Sequence, residues 1–199
     1  MIQLTNPYNQ KQFNEYHYIN DDEVDLAISN AHKAFKDYKK VNFERRSKYL
    51  NQLANLLQEN ISELAESMTQ EMGKPIAQAK GEIKKCAWLC EYYAKNAKSL
   101  LQPKTITTDA SLSEVHYEAS GIILAIMPWN YPHWQVMRCL APAIMLGNPV
   151  LLKHADNVLQ SAQLLEKLVV EAGIPKDFFQ HLIIEEKQTE QIISNAKVT

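Results

Sequence analysis

A chain of 199 residues with 46% hydrophobic content is long enough to bury one sizeable core and too apolar to be disordered. Its 21 Lys and Arg are interspersed with 23 Asp and Glu, for a net charge of −2, which argues against a nucleic-acid partner. No apolar run reaches the roughly 18 residues of a membrane span, and residues 1–10 lack the basic and apolar stretches of a secretory leader, so a cytoplasmic protein without membrane contact is expected.

Asn20 followed by Asp21, Asp22 and Glu23 predicts a capped helix start, and Val24, Ile28, Ala31, Phe35 and Tyr38 continue it at three- and four-residue spacing. A second helix is predicted from about Phe43, with Leu50, Leu53, Leu57, Ile61, Leu64 and Met68 on one stripe and Gly73 as its stop. A third opens near Pro75, a tolerated first-turn position, and carries Ile76, Ala79, Ile83, Ala87, Cys90 and Ala94. Residues 1–103 therefore read as mostly helical.

The texture then changes. Residues 104–108 and 113–118 alternate polar with apolar or β-branched side chains, the pattern of two exposed strands, and the stretch 104–119 is expected to form an arm that pairs with another subunit. The continuously apolar run 121–128 is that of a strand buried on both faces of a parallel sheet. A helix over about 133–145, a strand over 149–153, a helix over 158–172, a strand over 178–184 and a short helix over 188–195 come next, and Val198 and Thr199 open a further strand. Alternating strands and helices over 120–199 predict Rossmann-like βαβ units, so the fold class is α/β: a helical amino-terminal segment, then a doubly wound parallel sheet. A sheet cut at its next strand lacks cover, and the sequence is therefore expected to be a truncated piece.

Five glycines, none in a GxGxxG pattern, argue against an ordinary dinucleotide-binding fingerprint. Cys86, Cys90 and Cys139 contain no CxxC pair, and a reducing compartment would keep them as thiols. Cys86 and Cys90 are one helical turn apart, but nothing nearby completes four ligands, so no metal site is expected. The chemistry-bearing residues cluster after the first buried strand: Met127, then Pro128-Trp129-Asn130-Tyr131-Pro132, with Arg138 eight residues past Asn130, and Lys153-His154-Ala155-Asp156 at the end of the next strand.

These blocks, with Ala141-Pro142-Ala143-Ile144-Met145-Leu146-Gly147-Asn148 between them and Glu171-Ala172-Gly173-Ile174-Pro175 after them, resemble in order and spacing the start of the cofactor domain of aldehyde dehydrogenases. The segment 45–75, ending in Gly73-Lys74-Pro75, is similar to that family's long helices before its own Gly-Lys-Pro. The resemblance implies a partial cofactor-binding domain over 1–199, without the catalytic domain, taking NAD or NADP and an aldehyde, and forming a homo-oligomer in the full-length form.

By the same resemblance, Asn130 donates its side-chain amide to the aldehyde oxygen as a cysteine thiolate adds to the carbonyl. A fixed donor of this kind contributes about 3 kcal/mol in comparable sites. Lys153 stands at the carboxyl edge of a strand, where open α/β sheets bind ligands, and the resemblance assigns it to the adenosine ribose, with Met127 and Trp129 lining the groove. Asp156 stands where the family often has Glu, Ser or Pro; its carboxylate suits ribose hydroxyls and repels a 2′-phosphate, which favours NAD over NADP. His154 replaces a more usual proline and reads as a surface or packing residue. Arg138 is expected two turns beyond Asn130 on roughly the same helix face. The succinate-semialdehyde branch has an arginine there, and a planar guanidinium suits a distal carboxylate.

Cys139 is rejected as the nucleophile, because the family's reactive cysteine and its activating glutamate lie farther along than Thr199. Two rivals remain open: a non-catalytic remnant that at most binds nucleotide or self-associates, and a helical interaction module, which leaves residues 128–156 unexplained.

Overall fold

The computed structural model describes all residues 1–199. Helix α1 (Asp21–Tyr38) begins where the cap was expected: Asn20 Oδ1 accepts the Glu23 N–H at 2.9 Å and the Glu23 carboxylate accepts the Asn20 N–H at 2.8 Å. Asn42 caps α2 (Phe43–Glu59) in the same manner, through the Arg45 N–H. The second predicted helix is two. It breaks at Asn60, whose side-chain amide donates to the Leu56 carbonyl at 2.8 Å and so competes with the helical ladder. The chain restarts as α3 (Ile61–Met72), and left-handed Gly73 (φ +76°) ends it as expected. Helix α4 (Ile76–Leu100) packs along α2 and α3.

Two features of the amino-terminal half escaped the sequence. Strands β1 (Ile2–Thr5) and β2 (Gln12–Tyr16) form an antiparallel hairpin ahead of α1, seated through Leu4 and Tyr16 on Leu159. The predicted arm is shorter than expected, with only β3 (Lys104–Thr105) and β4 (Glu114–Val115) pairing antiparallel.

The parallel sheet consists of β5 (Ile123–Met127), β6 (Val150–His154) and β7 (Phe179–His181) in the order β5-β6-β7. An isolated parallel bridge pairs Ile122 with Val198 on the far side of β5. Strand order thus reverses direction at β5, the place where a doubly wound sheet opens its binding crevice. Helices α5 (Pro132–Leu146) and α6 (Leu159–Glu171) share one core with α2, α3 and α4, into which Ala125, Val150, Leu152 and Phe179 point. On the opposite face Ile122, Leu151 and Leu182 meet α1 and α7 (Glu186–Ile193). Strand β5 departs from the expectation of two buried faces: it is the edge of the three-stranded sheet, and Ile126 is 54% exposed.

The helical layer holds the Rossmann-like half by polar tethers. Buried Glu71 accepts the Gln160 N–H at 2.6 Å and the Ser161 N–H at 3.0 Å, closing the amino-terminal end of α6. Burial raises the pKa of its carboxyl group, against the lowering pull of those hydrogen bonds and of the Ser161 and Ser67 hydroxyls. At the other end of α5, Arg46 donates to the Met145 carbonyl at 2.7 Å and to the Tyr38 carbonyl at 3.2 Å. Gly147, at φ +99°, turns the chain directly against that guanidinium; a Cβ there would lie 3.2 Å from Arg46 Nη1. No helix is long and apolar enough to cross a membrane.

Candidate active site

The turn between β5 and α5 carries Pro128, Trp129, Asn130 and Tyr131, and Pro132 opens the helix without an N–H of its own. The next two amides, of His133 and Trp134, both donate to Glu82 Oε1 at 2.9 Å. Glu82 comes from α4, and its second oxygen forms a buried ion pair with Lys74. Lys74 Nζ in turn donates to the Asn130 carbonyl at 3.1 Å and lies 3.7 Å over the Tyr131 ring. With side chains 6% and 1% exposed, these two charges are tolerable only because each has further polar partners. Together they fix the backbone from the Asn130 carbonyl to the first amides of α5.

His154 fastens the same turn from the sheet: of the two readings, surface or packing, the structure excludes the surface one. Its ring is 1% exposed, with Nε2 2.9 Å from the Pro132 carbonyl and Nδ1 2.9 Å from the Ala155 nitrogen and 3.1 Å from the Met127 carbonyl. Burial lowers its pKa, which favours the neutral ring. A proton on Nε2 then lets it donate to Pro132 while Nδ1 accepts the Ala155 N–H. His133 beneath the turn has no partner on either ring nitrogen, and its pKa is pushed down to about 3 by burial first, then by His154 and Lys74.

Held in this way, Asn130 is exposed and its side-chain amide makes no hydrogen bond within the chain. Arg138 is also exposed; its only side-chain hydrogen bond is Nη1 to Gln135 Oε1 at 3.5 Å, and no carboxylate pairs with it. The shared helix face expected for the two does not apply, because Asn130 precedes α5 and is placed by the turn. Cys139 packs against the main core and burial raises its pKa, as it does for Cys86 and Cys90, so none of the three tends toward a thiolate.

Lys153 and Asp156 do come together, Nζ to Oδ1 at 3.0 Å, and the Tyr18 hydroxyl donates to Asp156 Oδ2 at 3.3 Å. They line a hollow of about 430 Å³ with Tyr18, Ile184, Glu185, Glu186 and Lys187. A second hollow of about 320 Å³ runs from Lys153 past Ile126 to Glu186, Thr189 and Glu190. Met127, the last residue of β5, and Trp129, in the turn before α5, line neither. No cluster of three or more His, Cys, Asp or Glu side chains is placed to hold a metal.

Lys74, Glu82, Tyr18 and Glu186 were missed by the sequence reasoning. Glu82 had left a signal, a carboxylate one residue before Ile83 on the otherwise apolar stripe of α4.

Residues 1–199 match the model of the aldehyde dehydrogenase family over their whole length. The chain belongs to the aldehyde dehydrogenase family. Among its relatives, a succinate-semialdehyde dehydrogenase [NADP(+)] of Mycobacterium bovis is 40% identical over 200 residues, covering 99% of this chain and 44% of the relative. A probable succinate-semialdehyde dehydrogenase [NADP(+)] of Synechocystis is 41% identical over 176 residues, 88% of this chain and 39% of the relative. The crystal structure of the Streptococcus pyogenes succinic semialdehyde dehydrogenase in complex with NADP+ superimposes with a TM-score of 0.97 at 34% identity, over 100% of this chain and 44% of that one. This member of the family thus spans less than half the length of the curated relatives it matches.

Proposed function

We propose that this chain forms the cofactor-side half of an NAD(P)-dependent aldehyde dehydrogenase that oxidises succinate semialdehyde to the dicarboxylate. The observation that carries the proposal is the fixed turn: Lys74, Glu82 and His154 pin the backbone around Asn130 while leaving its amide free and exposed. A donor locked in place before the reaction is what stabilises charge that appears only in the transition state. The relatives named succinate-semialdehyde dehydrogenases support the substrate.

On this proposal the Asn130 side chain donates to the substrate oxygen as negative charge develops there, and unpaired Arg138 receives the far carboxylate through two parallel N–H donors. The nucleophilic thiolate and the group that activates water come from outside residues 1–199, since the three cysteines here are held protonated. The hollow at Lys153 fits a nicotinamide dinucleotide: it lies at the carboxyl edge of the sheet and offers an ammonium and a carboxylate 3.0 Å apart to neighbouring ribose hydroxyls. When bound, that cofactor accepts the hydride. Although these relatives are named for NADP, Asp156 favours NAD here, because a 2′-phosphate would face its charge. The β3–β4 hairpin, with Ile106, Val115 and Tyr117 exposed, supports pairing between subunits.

The test is an assay of the chain extended to the full length of its relatives. Formation of NADH or NADPH from succinate semialdehyde, lost on Asn130→Ala, is expected; turnover unaffected by that change would overturn the proposal.

A further inference from the structure

Both hollows beside Lys153 share one other charged residue, Glu186, and their walls carry four carboxylates, Asp156, Glu185, Glu186 and Glu190, against the ammonium groups of Lys153 and Lys187. Lys153 is already engaged by Asp156 at 3.0 Å. In doubly wound folds a helix amino terminus at this edge is the ready site for a phosphate. Here α7 closes that option itself: the Glu185 side chain accepts the Gln188 N–H, and the Gln188 side chain accepts the Glu185 N–H at 3.0 Å. Gln188 also donates to the Ile19 carbonyl at 2.9 Å and to Asp21 Oδ1 at 2.8 Å, so the acidic start of α7 is moored to the segment entering α1.

We infer that Glu185 and Glu186, at the start of α7, are determinants of cofactor choice that act with Asp156 to exclude a 2′-phosphate from the adenosine ribose pocket. A 2′-phosphate carries a charge of about −1.5 to −2 at neutral pH. It would meet a carboxylate on the ribose side, at Asp156, and a second acidic wall on the α7 side. The four carboxylates outnumber the two ammonium groups, of which Lys153 is already paired with Asp156, and the anchored helix gives the wall little room to retreat. An unphosphorylated ribose presents only hydroxyls, which the same carboxylates accept. Selection against the phosphate is therefore distributed over two elements, and neutralising Asp156 alone leaves part of it in place.

This inference rests on the assignment of the Lys153 hollow to the cofactor, and the two are tested together by calorimetry on the 199-residue chain with ADP-ribose and 2′-phospho-ADP-ribose. The expected result is binding of ADP-ribose about tenfold or more tighter than its 2′-phosphorylated form at low salt, the gap narrowing at high salt. Glu186→Gln changes an exposed side chain, and Glu185→Ser keeps a helix-capping hydroxyl. Together they should shrink the gap severalfold, chiefly by strengthening binding of the 2′-phosphorylated form. A gap that the double variant leaves intact overturns the role of α7 and leaves the cofactor assignment standing. Failure of both ligands to bind, with ligand contacts also absent in the full-length form, overturns the assignment itself.

Discussion

Lys74 and Glu82 form a buried ion pair whose members hold successive points of one turn, Lys74 the carbonyl of Asn130 and Glu82 the amides of His133 and Trp134. Removing one member strands the other. Glu82→Ala should cost about 3–5 kcal/mol of stability in urea unfolding, because Lys74 is left as an uncompensated buried charge. The double change Lys74→Met, Glu82→Leu should cost clearly less than the two single changes added together. Additive losses would mean that the pair is not energetically coupled.

His133 should make the protein acid-sensitive. Its folded pKa of about 3 lies below the unfolded value near 6.5, so below pH 6.5 the unfolded chain binds the proton and the folded chain does not. Stability is full above pH 6.5 and falls as pH drops toward 3, by up to about 1.4 kcal/mol per pH unit from this residue. His133→Leu should therefore gain on the parent protein as the pH is lowered from 6.5 to 5, whatever its effect at pH 8. A difference between the two proteins that stays constant with pH would show that His133 is protonated when folded.

Asp156→Ser, in the full-length form, should improve the use of NADP relative to NAD by removing one of the charges that meets a 2′-phosphate. The ratio of kcat/KM for the two cofactors is the measurement. An unchanged ratio would take Asp156 out of the ribose site.

Arg138 separates substrate class from fold. Arg138→Leu in the full-length form should cost succinate semialdehyde roughly 2–4 kcal/mol of transition-state binding, about 30- to 1000-fold in kcat/KM. Butanal, which has no far carboxylate, should barely notice. Equal losses for both aldehydes would point to damage at the turn that carries Asn130.

Local signals carried most of the fold. The Asn20–Glu23 cap, the stop at Gly73 and the strand–helix alternation after 120 depend on neighbours within a few residues, and all of them appear in the structure. The break at Asn60 was hidden because the stripe of Leu57, Ile61 and Leu64 runs through it without a missed position. The site was legible only in part. Asn130, Arg138, Lys153 and Asp156 stood in recognisable blocks, but His154 meets backbone carbonyls 22 and 27 residues away, and Lys74 meets one 56 residues away. Backbone acceptors leave no mark on the sequence that would name their partner.

The tethers of Glu71, Glu82, Lys74 and Arg46 all run from the amino-terminal helices and the link between α3 and α4 to α5, α6 or the turn between β5 and α5. The change of texture near residue 103 therefore marks a boundary of style and not of autonomy. Anyone recombining this chain with a relative should expect hybrids joined near that point to misplace the ends of α5 and α6, however well each piece is made. Crossovers that keep residues 43–161 from a single parent preserve all four tethers. The segment is one heritable unit, and its helices and the turn that carries Asn130 are free to diverge only together.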